Sequence, residues 1–545
     1  MSDSVFTRNK VNLSYYVLVS LGCLLSVFCN IEIDFCRMLS KFLSTGVNMS
    51  DTASFMNLSS SRVVLADDAR SLHKSLLALE KHVEAHTLSN GLKVILYKRG
   101  KAPVFAGLIS VRLGGIDEPV GKTGVSHLLE HMAFKGTSVI GTSDFEKERI
   151  LLGQEDKLRA IKNRSPEQEN ELNSILSTLE KMTNAEALTE ELTRRGASDL
   201  NATTSKELTS YFVNLPKTAF EFWAWLESER LINPVFRQFY QERDVVLEER
   251  RMRYEDDPTG KLYENLLMTA FVDHPYRDPV IGYEKDLLAL TRKDLSDYHS
   301  QYYIPSNLVV SVVGDVDPQR DLEVLEKYFG RIAGDKIRPS LSTRQETPQT
   351  AERQVVVSHP SSPQLFIGYK KPAYPHSDDA PLSVLQQILA GSFVSPLYVE
   401  LVKNRQVATS ISVFEAPGSS APNLFVFSAS PRHPHSVDEV VESVDDVIKK
   451  FIDSGPTEEQ LAIAQRSMAV NYLGELKSNM ALARQFASSH LLFGDWKASI
   501  KWFGEVLDVT VSDVHRVARQ YLVSHGRTIA RIKTVQVETT NNSKK

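Results

Sequence analysis

The stretch Gly124-Val125-Ser126-His127-Leu128-Leu129-Glu130-His131-Met132-Ala133 sets two imidazoles four positions apart, with a carboxylate just before the second. On a helix, positions i, i+3 and i+4 share a face, so His127, Glu130 and His131 point the same way. Val125, Leu128, Leu129, Met132 and Ala133 follow the i, i+3, i+4, i+7, i+8 spacing of a buried stripe. Such a helix is anchored by one face while its polar edge presents two histidines and a glutamate. Two imidazoles at this spacing can ligate one Zn²⁺, and the adjacent carboxylate can take a proton from water activated there. The order H-x-x-E-H inverts the common zinc-protease motif.

A second stretch, residues 236–252, carries carboxylates at helical spacing. Glu242, Val245, Val246 and Glu249 fall at i, i+3, i+4 and i+7, so two glutamates share a face with two valines. A carboxylate on an apolar face costs free energy unless it is paired or binds a metal. Glu249 could complete a His₂Glu site with His127 and His131, leaving a fourth position for water, and Glu242 could support a histidine from behind. Alternatively, both glutamates pair with arginines such as Arg243 or Arg253.

At 545 residues the chain is too long for one core. Its formal net charge of -5 gives no sign of a nucleic-acid partner. The three cysteines, Cys23, Cys29 and Cys36, all lie near the N-terminus and can build no cysteine framework for the main body. Residues 1–80 read as a targeting segment and linker. Arg8 and Lys10 precede an apolar run from Leu13 to Phe28, shorter than the ~20 apolar residues of a membrane span. A cleaved secretory signal, an uncleaved anchor holding the chain to a membrane, and a true start at Met38 or Met49 all fit. Export to the periplasm or cell envelope of a bacterium is expected, with a mitochondrial destination as the alternative.

Ordered structure is expected from about His82. His86 to Tyr97 reads strand, Asn-Gly turn, strand, and Val104 to Leu113 reads as another strand before the His127 helix. Residues 146–195 are dense in Glu, Lys, Arg and Gln with spaced leucines, which predicts one or two long surface helices, a hairpin if two, and a solvated insertion in preference to a lid or partner contact.

These residues carry a resemblance. His127 to His131, continued by Met132-Ala133-Phe134-Lys135-Gly136-Thr137, resembles the zinc motif of the pitrilysin/insulinase family, which includes the mitochondrial processing peptidases and their bacterial relatives. Asn201-Ala202-Thr203-Thr204 resembles its Asn-Ala-x-Thr strand, and Glu242 to Glu249 its downstream glutamate helix. The resemblance spans roughly residues 80 to 535. It implies one Zn²⁺ per chain on His127, His131 and Glu249, Glu130 as general base and Glu242 as supporting carboxylate. It further implies that Asn201 and Ala202 lie on the strand that receives a peptide or unfolded protein segment as an added strand.

An internal repeat agrees with the family's tandem design. Thr291, Asp294, Leu295, Gln301 and Tyr302 recur 219 positions later as Thr510, Asp513, Val514, Gln520 and Tyr521. The expected fold is α+β: two tandem homologous domains, each a mainly antiparallel sheet with helices packed on one side. A zinc-binding domain is placed at 81–318, a linker at 319–352 and a metal-free domain at 353–545, where Leu382 to Leu389 replaces the histidine helix.

Two features depart from the family pattern. His131 and Glu249 lie 118 positions apart, a long gap that the charged insertion explains. Where many members carry an Arg and a Tyr seven apart in the second domain, this chain has Val402 and Thr409, with Arg405 nearby. The resemblance therefore implies the zinc-bearing subunit of a heteromer, with a homologous partner bringing the missing donors. The alternative is a structural or assembly subunit of a membrane or envelope complex with little activity of its own.

Overall fold

The computed structural model describes residue 70 and residues 73–74, 76–100, 102–334 and 344–535. The expected targeting segment, with Cys23, Cys29 and Cys36, lies almost wholly outside the described residues, as do Arg338 and Pro339 of the expected linker.

Two sheets organise the chain. The first contains β1 (Val83–Thr87), β2 (Lys93–Lys98), β3 (Val104–Val111), β4 (Ser198–Thr204), β5 (Thr209–Pro216) and β6 (Leu308–Gly314), in the order β1-β2-β6-β3-β5-β4. The second contains β7 (Arg353–His359), β8 (Leu365–Lys371), β9 (Ala408–Ala416), β10 (Asn423–Pro431) and β11 (Arg527–Thr534), in the order β7-β11-β8-β10-β9. Each sheet is antiparallel apart from one parallel pair, β2–β6 and β7–β11 respectively. The fold is thus α+β with mainly antiparallel sheets.

The repeat seen in the sequence has a structural counterpart. Thr291 and Asp294 form a capping box at the start of the helix Arg292–Tyr302, and Thr510 and Asp513 do the same for Val511–Tyr521. Each helix leads through a short 3₁₀ turn into a strand, β6 or β11, that lies parallel to one neighbour and antiparallel to the other.

Side chains alternate across the central strands, as a period of two requires. Leu308, Val310 and Val312 enter one core of the first sheet, while Val309 and Val313 enter the opposite one. In the second sheet Ile367 and Phe427 face one way, Phe366 and Val426 the other. Beyond the one-sided packing expected, each sheet has its second face covered by a helix from the other half. Leu482, Ala483 and Phe486 of Asn479–Phe493 pack on the first sheet, and Leu262 and Leu266 of Pro258–Ala270 on the second. Strands buried on both faces read as near-continuous apolar runs, which β3 and β6 do.

The stretch read as linker from residue 319 begins instead inside a helix, Pro318–Phe329. Its Leu325 and Phe329 are buried in the first core, with Phe329 against Trp223. The insertion also differs from its expected solvated character. Phe145–Arg159 and Pro166–Met182 bury Leu152, Leu158, Leu172, Ile175 and Leu179 together, and a third helix, Ala187–Arg194, follows. Two of its carboxylates are buried partners of arginines: Glu148 with Arg237 at 2.6 Å and Glu155 with Arg292 at 2.9 Å. Removing one side of a buried pair strands the other charge. Arg237→Leu is therefore expected to lower stability by about 3–5 kcal/mol, read as a reduced urea midpoint; an unchanged midpoint would contradict the pairing.

Candidate active site

The histidine helix runs from Val125 to Met132. Val125, Leu128, Leu129 and Met132 are buried in the first core, as their spacing requires. Its N-cap is Gly124 at φ 86, where a Cβ would sit 2.5 Å from the Ile281 carbonyl, so only glycine fits. Glycine offers no capping side chain. The buried Glu118 carboxylate does that work, accepting from the backbone N–H of Gly124 at 2.8 Å and of Ser126 at 2.9 Å. Burial nevertheless pushes the Glu118 carboxyl up to about 8, against those same hydrogen bonds.

The glutamate helix, Phe239–Arg250, packs across the histidine helix. Phe239 and Val246 are fully buried, but Val245 is 52 % exposed. The face shared by Glu242, Val245, Val246 and Glu249 is therefore not uniformly apolar. Val246 points to the core, Val245 to solvent, and the two glutamates point along the edge toward the histidines. Past Arg250 the helix widens into a π-turn, Arg251–Glu255, a local feature frequent at functional sites.

These helices bring the sequence candidates together. The Oε2 atom of Glu249 lies 3.4 Å from His131 Nε2 and 3.8 Å from His127 Nε2. Among the described residues, His127, His131 and Glu249 form the one group of three side chains whose ligand atoms all lie within 4.8 Å of one another. Zinc bonds of ~2.0–2.2 Å in tetrahedral array separate ligand atoms by roughly 3.3–3.6 Å, so this donor set fits the ion with small closure. Glu249 divides its oxygens: Oε1 pairs with Arg253 at 2.8 Å, while Oε2 faces the imidazoles. The arginine alternative and the ligand reading are thus compatible at one residue.

Glu242 stands behind His131, its Oε1 2.9 Å from Nδ1, which leaves Nε2 for the site. Glu130 is buried beside the histidines and accepts a hydrogen bond from the Thr204 hydroxyl at the end of β4. Asn201 and Ala202 lie on β4, the outer edge of the first sheet. Asn201 is exposed and its Oδ1 accepts from the Ala202 N–H, while Ala202 is buried. An edge strand offers unpaired backbone groups, and this one runs to the residue that holds Glu130.

The electrostatics separate the two histidines. Burial, with the neighbouring His131, drives His127 down to about 4, so it is neutral at pH 7. Burial would lower His131 too, but its bonds to Glu242 and Glu249 raise it to about 9. Burial pushes the Glu130 carboxyl up, opposed by its bond from Thr204. Glu242 feels burial in the opposite sense to its bonds with His131 and Lys135, and the bonds hold it down at about 2. To act as a ligand at pH 7, His131 must give up a proton, whereas His127 need not. Zinc uptake is therefore expected to release about one proton from His131, measured calorimetrically in two buffers of different ionisation enthalpy. Heats identical in both buffers would contradict it.

Thr204, Lys135 and Glu118 make site contacts that helix spacing does not mark, although Thr204 and Lys135 belong to the motifs quoted above; Arg253 is one of the partners that the spacing left open for Glu249. Val402 lies in a π-turn, Val399–Asn404, and the Thr409 hydroxyl donates to the Ser430 carbonyl. Arg405 pairs with Glu400 at 2.8 Å and Asp446 at 2.9 Å, engaged within the second half. The second half's Leu382 to Leu389 segment lies in the helix Asp379–Ala390, with Leu382, Leu385 and Leu389 fully buried.

Residues 93–156 and 174–284 match the family model for Insulinase (Peptidase family M16), and residues 289–468 match that for the Peptidase M16 inactive domain. The chain belongs to this family. The first match omits 157–173, within the inserted helices, and the second begins upstream of the boundary expected at residue 318. Among its relatives is the zinc protease PqqE of Helicobacter pylori, 27 % identical over 467 residues, covering 85 % of this chain and 94 % of that protein. A solved structure of a protease from Helicobacter pylori superposes with a TM-score of 0.71 at 27 % identity, over 83 % of this chain and 99 % of that one. The probable mitochondrial-processing peptidase subunit beta of Schizosaccharomyces pombe is 23 % identical over 457 residues, covering 81 % of this chain and 88 % of that protein.

Proposed function

We propose that this chain is a zinc endopeptidase acting on extended peptides or unfolded protein segments, with His127, His131 and Glu249 as the metal ligands and Glu130 as the general base. The observation that carries the reading is the convergence of three donors from two helices around one point, with a buried carboxylate alongside that is not needed as a ligand. Zinc, when bound, supplies a Lewis acid that polarises the scissile carbonyl and acidifies water. Glu130, whose raised proton affinity suits the exchange, takes the proton of the attacking water and returns it to the leaving amine. Thr204 fixes the Glu130 carboxylate, and Glu242 fixes the His131 ring through Nδ1. The β4 edge at Asn201 and Ala202 pairs with the peptide main chain, a mode that tolerates varied side chains.

The same reading makes the chain the zinc-bearing member of a heteromer. Val402 and Thr409 offer no long donor where family members have one, and Arg405 is committed to Glu400 and Asp446. In domain terms, the metal belongs to the half that begins near residue 81 and includes the helix Pro318–Phe329, and the metal-free half begins at β7. An exported location, periplasmic or in the cell envelope, rests on the N-terminal apolar run; among the described residues no helix is long and apolar enough to cross a membrane. The test is a peptidase assay on the purified chain and on the complex recovered from its source, each with and without chelator. Chelator-sensitive cleavage by the complex supports the reading, and a complex that cleaves nothing refutes it. Brisk cleavage by the chain alone would remove the need for a partner.

A further inference from the structure

We propose that Lys135 is a positioning residue of the metal site, clamping Glu242 so that its carboxylate orients His131. The inference rests on the zinc reading above and extends it by one residue. Glu242 uses its two oxygens separately: Oε1 lies 2.9 Å from His131 Nδ1 and Oε2 lies 2.8 Å from Lys135 Nζ. Without the lysine, Oε2 has no ion-pair partner there and the carboxylate is free to turn about its terminal bond. With it, both oxygens are held and the imidazole faces a fixed acceptor.

The lysine is itself held in place. Its side chain is only 12 % exposed and that of Glu242 15 %, so the pair is shielded far better than a surface ion pair. Glu186, 68 % exposed and 3.9 Å away, is its weaker second partner. The backbone from which Lys135 springs is pinned by Arg237, which donates to the carbonyls of Lys135 at 2.9 Å, Thr137 at 2.7 Å and Ile140 at 3.0 Å. The next residue, Gly136, sits at φ 94, where a Cβ would come within 2.6 Å of the Arg237 guanidinium. Arg237 is locked in turn by Glu148 of the inserted helices. The inserted helices, Arg237, the loop after the histidine helix, Lys135, Glu242 and His131 therefore form one continuous chain of contacts.

Groups that orient a metal-bound histidine typically change metal affinity by about 10–100-fold when removed. The experiment is a competition titration of zinc against a chromogenic chelator, using the full chain. Lys135→Met is expected to weaken zinc binding by about 10–100-fold, and Lys135→Arg to recover most of it. In a Glu242→Gln background, Lys135→Met is expected to cause no further loss, because the lysine acts only through that carboxylate. Wild-type affinity in Lys135→Met overturns the inference, and so does a full loss in the Glu242→Gln background, which would mean a general structural role. A wild-type chain that binds no zinc at all refutes the metal reading itself, and this inference with it.

Discussion

Glu130→Gln is expected to lower peptide hydrolysis by about 10²–10⁴-fold, the range a positioned general base contributes, while the protein keeps its zinc. The substitution is close to isosteric, and glutamine can still accept the hydrogen bond from Thr204 that holds Glu130 in place. What it lacks is a site for the water's proton. Because Glu130 is not among the three convergent donors, metal content should not change. The loss should fall on kcat with KM nearly unmoved, the pattern of an interaction made only in the transition state. Steady-state kinetics on a quenched peptide check this, and activity within about tenfold of wild type would remove Glu130 from the role.

Glu249→Gln is the second large effect, and it separates binding from chemistry. Its Oε2 faces the Nε2 atoms of both imidazoles, and burial is outweighed by His131, His127 and Arg253, which keep the carboxyl below its usual range. The amide removes the negative charge and leaves two imidazoles to hold a dication. Zinc affinity should fall by more than the ~10–100-fold expected of a supporting residue, and hydrolysis should fall with it. Arg253→Ala is the matched control: the arginine contacts Oε1 and is 67 % exposed, so its loss should cost little. If the control loses as much zinc as Glu249→Gln, the division of oxygens at Glu249 is wrong.

The candidate ligands were legible in part because each rides on a helix whose period is visible. His127 and His131 are local to one turn; the spacing of Glu249 from Glu242 left ligand and arginine partner open, and the family resemblance favoured the ligand. The tandem design was legible from the Thr291 and Thr510 capping boxes and the strands that follow them. What escaped depends on tertiary contact. Periodicity placed Val245 inward with Val246, but the packing of Phe239 and Val246 turns the helix so that Val245 faces solvent. No sequence pattern says that Pro258–Ala270 and Asn479–Phe493 cover each other's sheets, because an apolar stripe does not name its partner. Thr204 and Lys135 stand in quoted motifs, yet their bonds to Glu130 and Glu242 span the insertion. Glu118 carried a faint signal: a helix beginning at glycine must find its cap elsewhere.

The most direct measurement of the central claim is the zinc content of the purified, chelator-treated and zinc-reloaded chain beside the same preparation of His127→Ala. One zinc per wild-type chain, and far less in the variant, is the result expected of a site built from His127, His131 and Glu249. A wild-type chain that reloads no zinc, or a His127→Ala chain that reloads it fully, would contradict the account.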